Sequence, residues 1–144
     1  MQVREAGDKT LLLRGDETRL KQVLINLVKN AIKFTDSGFI DVKLAYNRNK
    51  GVLKGHVRDS GCGIEEHDLG KLFSRFGKLD RTAEINHEGI GIGLTIVEQI
   101  VKQFGGDVQV RSNGPGKGSV FSFKMFISMV GVESSNKQSE LQKD

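Results

Sequence analysis

Residues 17–34 read ETRLKQVLINLVKNAIKF, eighteen positions without Gly or Pro. Leu20, Val23, Leu24, Leu27, Ala31 and Phe34 recur at spacings of three and four, which predicts an amphipathic helix with one apolar stripe. Asp16 stands where an N-cap belongs, Glu17 falls in the first turn, and Asp36-Ser37-Gly38 supplies the stop. Ile25, Val28 and Ile32 widen the apolar surface, so the helix is expected to be buried over much of its circumference. Asn26, Asn30 and Lys33 lie within roughly 60° of one another beside the stripe. A polar flank explains the three. An amide oxygen beside buried surface also suits a hard cation shared with phosphate, and a Lys one turn on can meet the same phosphates.

On the N-terminal side, residues 2–14 pattern as a hairpin ending in TLLLR. On the C-terminal side, FIDVKLAY (39–46) and VLKGHVRD (52–59) read as strands joined through NRNKG, and EEHDLGKLF (65–73) as a short helical stretch. Residues 77–88, GKLDRTAEINHE, show little periodicity and read as a mobile lid. Leu94, Val97, Ile100, Val101 and Phe104 mark a second helix over 93–104, stopped by Gly105-Gly106. Strands over 107–112 and 119–128 close a hairpin across NGPGKG, and from Glu133 the chain is polar. The order ββαββ, loop, αββ argues for a two-layer α/β sandwich: a mixed, mostly antiparallel sheet with helices on one face. One domain is expected over 1–130, with 131–144 a polar, disordered tail or linker.

Composition narrows the function. With 37% hydrophobic and 28% charged residues the chain is globular rather than disordered. The net charge of +4 is scattered and not interleaved with aromatics, which argues against nucleic acid. One Cys excludes an internal disulfide. No apolar run approaches the ~20 residues of a membrane span, so the expectation is a cytoplasmic location without membrane contact. Met1 opens directly into a strand-like segment, as expected of a piece of a longer protein.

Two glycine clusters remain, DSGCGI (59–64) and GIGIGL (89–94). Glycine permits positive φ and close backbone approach, to the chain itself or to a ligand. RLKQVLINLVKNAIKFT resembles the asparagine box of sensor histidine kinases, and DSGCGI resembles their first glycine box. LFSRF (72–76) resembles the phenylalanine box, GIGIGLTIVEQIVKQFGG the second glycine box with its helix, and VRSNGPGKGSVFSF the closing hairpin. The five motifs follow the family's order over roughly residues 14–127. The family implied is the catalytic, ATP-binding domain of histidine kinases, within the Bergerat-fold superfamily of gyrase-, chaperone- and mismatch-repair-type ATPases.

The resemblance implies ATP and Mg2+ as cofactors and assigns roles. Asp59 would accept from the adenine amine, although as a residue it equally suits the start of a turn. Gly61 and Gly63 would let the backbone approach the base, with Ile64 packed on its face. Asn30 would ligate magnesium, Asn26 would sit beside metal and phosphates, and Lys33 would contact phosphate. Gly89, Gly91 and Gly93 would wrap the triphosphate at the start of the second helix, with Leu94 beside them. Phe73 and Phe76 would anchor the lid. Arg75 would reach the γ-phosphate, or else is a surface Arg. Ile90 departs from the Thr that is common there, and Cys62 occupies a variable position.

His56, His67 and His87 are placed in a strand, a short helix and the lid, and none suits a phosphoacceptor on a helical hairpin. The implied partners are a His-containing dimerisation domain of the same kinase and, downstream, a response regulator or receiver domain. Hydrolytic relatives carry Glu where this chain has Asn26, and an amide is no general base at neutral pH. Phosphoryl transfer from ATP to a protein histidine is the leading reading. A non-catalytic nucleotide-binding module is the alternative, followed by a hydrolytic Bergerat ATPase.

Overall fold

The computed structural model describes residues 2–5, 9–73 and 92–134. Helix α1 spans Glu17–Lys33. The Asp16 side chain accepts from the Arg19 amide at 3.1 Å, which satisfies one orphan N–H of the first turn. Lys21 Nζ lies 2.8 Å from Glu17 Oε1 and holds that carboxyl below its usual range. Leu20, Val23, Leu27 and Ala31 are buried, as the spacing predicts. Ile25 and Ile32, however, are 50% and 60% exposed, so α1 buries one stripe and not most of its circumference. The reason is tertiary: among the described residues α1 packs against the Ile92–Gln103 helix and the Ile40–Asn47 and Val52–Asp59 strands, and those contacts bury its stripe.

Strands β1 (Gln2–Glu5) and β2 (Lys9–Arg14) form the expected hairpin. β3 (Ile40–Asn47), β4 (Val52–Asp59), β5 (Asp107–Arg111) and β6 (Ser119–Phe126) build a four-stranded sheet in the order β3-β4-β6-β5. Helix α2 is short, Glu66–Leu69, and α3 spans Ile92–Gln103. α1 and α3 pack on each other and on the four-stranded sheet, whose inward side chains include Leu53, Val57, Phe121, Phe123 and Met125. The intervening Lys54, Arg58 and Lys124 are exposed, the period of two expected of a sheet covered on one side.

The sheet arrangement differs from the expectation in two respects. Every strand pairing among the described residues is antiparallel, and the strands form two sheets. The segment read as one strand over 119–128 breaks at Ile127, and a further strand, β7 (Ser128–Ser134), pairs with β2 in a three-stranded sheet ordered β1-β2-β7. Ile127 is buried, its N–H donates to the Gly51 carbonyl at 2.8 Å, and its carbonyl accepts from the Tyr46 hydroxyl at 2.6 Å. Those contacts pin the crossing between sheets. β7 runs across the expected 130/131 boundary because β2 offers it an edge, which polar composition does not reveal. The expected lid, with Arg75, Phe76, His87, Gly89, Ile90 and Gly91, lies outside the described residues, as does the tail beyond Ser134.

Candidate functional site

β4 alternates inward and outward, so the face that buries Leu53 and Val57 also carries Asp59 at the strand's end. β6 has the same parity, and its first residue, Ser119, stands directly opposite Asp59. Both are buried, and the Ser119 hydroxyl donates to Asp59 Oδ2. The Gly61 amide donates to Oδ1 at 2.9 Å. An ionised carboxyl offers about four acceptor positions, so this one, fixed by two protein donors, keeps acceptor capacity for a ligand. Ser119 lay in the closing Gly-Ser motif, yet its role was not legible there. Strand parity counted back from Phe121 and Phe123 is the signal that puts it inward.

The first glycine cluster answers its own question through the fold. A Cβ on Gly61 would lie 2.0 Å from the Phe34 carbonyl oxygen at the end of α1. A Cβ on Gly63, whose φ is +69°, would lie 2.1 Å from the Gly114 carbonyl oxygen. The close approach that these glycines permit in the structure is therefore to protein backbone. Cys62 N–H donates to Phe34 O at 3.0 Å, Gly116 N–H to Cys62 O at 2.7 Å and Gly118 N–H to Gly61 O at 3.1 Å. Three distant segments, the end of α1, the loop after β4 and the β5–β6 hairpin, are laced together at the mouth of Asp59. Ile64, which the resemblance places on the face of the base, is buried and packs in the core cluster.

The polar flank of α1 faces the start of α3. Asn26 Nδ2 donates to the Gly93 carbonyl at 3.4 Å, and Gly93 leaves open the space beside the Asn26 side chain. Leu94, one residue on, packs partly against the core. Asn30 and Lys33 are half-buried on the same flank, and Lys33 Nζ lies 6.0 Å from the Phe34 ring centre. The N-terminal end of α3 lies beside Asn26, and the positive end of a helix dipole is suited to phosphate.

Two observations test whether the implied cofactors fit. Thr35 Oγ1 is buried without a hydrogen-bond partner and faces Gly61, a polar group with unused capacity beside the first glycine cluster. No cluster of three His, Cys, Asp or Glu residues that could hold a metal occurs among the described residues. Magnesium on α1 would therefore take the Asn30 amide oxygen together with phosphate oxygens and water, the mode in which it usually binds nucleotides. Both groups fit.

His56 lies on the sheet's open face, its Nε2 3.9 Å from Asp41 Oδ2. His67 Nε2 does have an acidic neighbour, Asp68 Oδ1 at 3.4 Å, but its helix is only four residues long.

A family model described as histidine kinase-, DNA gyrase B-, and HSP90-like ATPase matches residues 15–128. The chain belongs to this family. Among its relatives, the signal transduction histidine-protein kinase BarA of Escherichia coli K12 is 40% identical over 118 residues, covering 80% of this chain and 13% of BarA. Hybrid signal transduction histidine kinase B of Dictyostelium discoideum is 38% identical over 116 residues, 78% of this chain and 6% of that protein. The chain thus spans a small part of these kinases. Full-length ShkA, solved in complex with AMPPNP, superposes with a TM-score of 0.71 at 29% identity, covering 83% of this chain and 24% of ShkA. The catalytic domain of histidine kinase ThkA gives 0.59 at 33% identity, with 77% and 69% covered. The two-layer sandwich of this histidine kinase-type ATPase domain is the fold of those catalytic domains.

Proposed function

We propose that this chain is the ATP-binding catalytic domain of a histidine kinase, presenting the γ-phosphoryl group of ATP to an imidazole on a separate helical hairpin. The observation that carries the reading is Asn26. Its amide is held against the Gly93 carbonyl at the start of α3, and the family resemblance implies a water-activating Glu at this position in the hydrolytic relatives. An amide orients phosphate neighbours but takes no proton from water.

The remaining residues divide the work. Asp59, fixed by Ser119 and Gly61, reads the adenine amine; Lys33 and the first turn of α3 hold the phosphates. Asn30 offers its amide oxygen to magnesium, which when bound offsets phosphate charge. The partner imidazole nitrogen forms a bond to the γ-phosphorus as the bond to the bridging β–γ oxygen breaks, and ADP leaves. Positioning and charge stabilisation supply the catalysis. Transfer onward to a response regulator, in the cytoplasm, belongs to the same reading. No helix among the described residues is long and apolar enough to cross a membrane.

The test is incubation with γ-labelled ATP, followed by addition of a purified His-bearing hairpin domain from a related kinase. The expected products are an acid-labile phosphoprotein and very little free phosphate. Brisk phosphate release with an unlabelled hairpin would make the protein an ATPase instead. ATP binding with neither product would favour a regulatory module.

Asn30→Ala separates metal from base recognition. Titrating ATP with and without magnesium should show a large metal-dependent gain in affinity for the wild type, and a gain roughly tenfold smaller in the variant. An undiminished gain would remove Asn30 from the site.

A further inference from the structure

Ser112 is the first residue after β5, and its hydroxyl is used to capacity. Oγ donates to the Gly118 carbonyl at 2.7 Å and accepts from the Ile64 amide at 3.0 Å and the Gly114 amide at 3.3 Å. A hydroxyl has one donor and two acceptor positions, so all three are filled. Gly114 and Gly118 belong to the β5–β6 hairpin, and Ile64 ends the glycine loop that begins at Asp59. The direct bonds between those segments, Gly116 to Cys62 and Gly118 to Gly61, run backbone to backbone. Ser112 is the side chain that adds a third tie and closes the lattice at the Ile64 end.

We propose that Ser112 is a positioning residue for adenine recognition. It holds the segment from Asp59 to Ile64 in its binding geometry before the nucleotide arrives, without touching the nucleotide. The inference rests on the assignment of Asp59 to the adenine amine. Removing the hydroxyl leaves the buried Ile64 amide and the Gly118 carbonyl without their partner, so the loop loosens and the base must order it on binding. The effect belongs to the base end of the site. Asn26, Asn30 and the start of α3 make no contact with Ser112 among the described hydrogen bonds, so the metal and phosphate end should not respond.

The experiment is calorimetry on the whole chain with ATP and GTP, with and without magnesium, for the wild type and Ser112→Ala, Ser112→Thr and Tyr46→Phe. Ser112→Ala should lose about tenfold in ATP affinity, with a smaller preference for ATP over GTP and the magnesium-dependent gain unchanged. Ser112→Thr keeps the hydroxyl and should stay within about threefold of wild type. Tyr46→Phe removes a side-chain hydrogen bond at the Ile127 crossing, away from these loops, and should lower thermal stability without moving ATP affinity. Wild-type affinity and preference in Ser112→Ala would overturn the proposal, as would an equal affinity loss in Tyr46→Phe. If Ser112→Ala does not fold, Ser112→Cys replaces it. A thiol is a weak acceptor, so an intermediate loss supports the tie and wild-type affinity refutes it. A wild type that binds GTP as well as ATP overturns the Asp59 assignment first, and this inference with it.

Discussion

Asp59→Asn should fold and melt within a few degrees of the wild type, yet lose roughly tenfold to a hundredfold in ATP affinity. The amide oxygen can still accept from the Gly61 N–H, and the new NH2 can donate to the Ser119 oxygen once that hydroxyl rotates. Both protein contacts therefore survive the change. What disappears is the charge and half of the acceptor capacity that remains for the adenine amine. A hydrogen bond to a charged group is worth about 1.5–3 kcal/mol, and the loss should appear as weaker binding rather than as unfolding. Asp59→Ala is the contrasting case. It strands the buried Ser119 hydroxyl, at about 1–3 kcal/mol, and the half-buried Gly61 N–H, and should reduce stability and binding together. Calorimetry with ATP and GTP, run beside thermal melts, separates the two effects. Asp59→Asn with undiminished ATP affinity, or a wild type indifferent to the base, would remove Asp59 from adenine recognition.

Gly63→Ala should be among the most damaging single substitutions in the site. At a φ of +69° a non-glycine residue carries left-handed strain of about 1–2 kcal/mol. The added methyl would also sit 2.1 Å from the Gly114 carbonyl oxygen, which is backbone with no rotamer to retreat into. Relief requires the β5–β6 hairpin to move away from the glycine loop. That breaks the Gly116–Cys62 and Gly118–Gly61 hydrogen bonds and unseats Ser119 from Asp59. The expected loss is about 3 kcal/mol or more, a fall in melting temperature on the order of 10 °C, with ADP no longer raising it. Gly70→Ala is the control, since a methyl there would meet nothing within 4 Å. Equal melting temperatures for Gly63→Ala and Gly70→Ala would show that the lattice contributes little.

Local structure was legible from the residues because the information is itself local. The period of α1, its Asp16 cap, the alternation of β4 and β6 and the stop at Gly105 each depend on neighbours a few positions away. The ordered motifs pointed to the family, and with it to Asp59, Asn26 and Asn30. The structure brings Asn26 to Gly93 and buries Asp59 at a strand end. The tertiary structure alone decided what depends on which distant segments meet. Ile25 and Ile32 look like core by composition, yet among the described residues no element packs over that side of α1, and both are exposed. Residues 127 and 128 read as the end of the 119–128 strand, but the chain breaks at Ile127 and forms β7 because β2 has an edge for it to pair with. Gly61 and Gly63 are legible as glycines that permit a close approach, but only the fold shows that their missing side chains make room for the backbone of Phe34 and Gly114. Ser119 is sixty residues from the carboxyl it holds, and Ser112 forty-eight from the amide that it accepts. A pattern that repeats every two or every 3.6 residues specifies which face of an element is buried. It does not specify which backbone will lie against that face, because that is set by the registers of whole strands and helices packing at once.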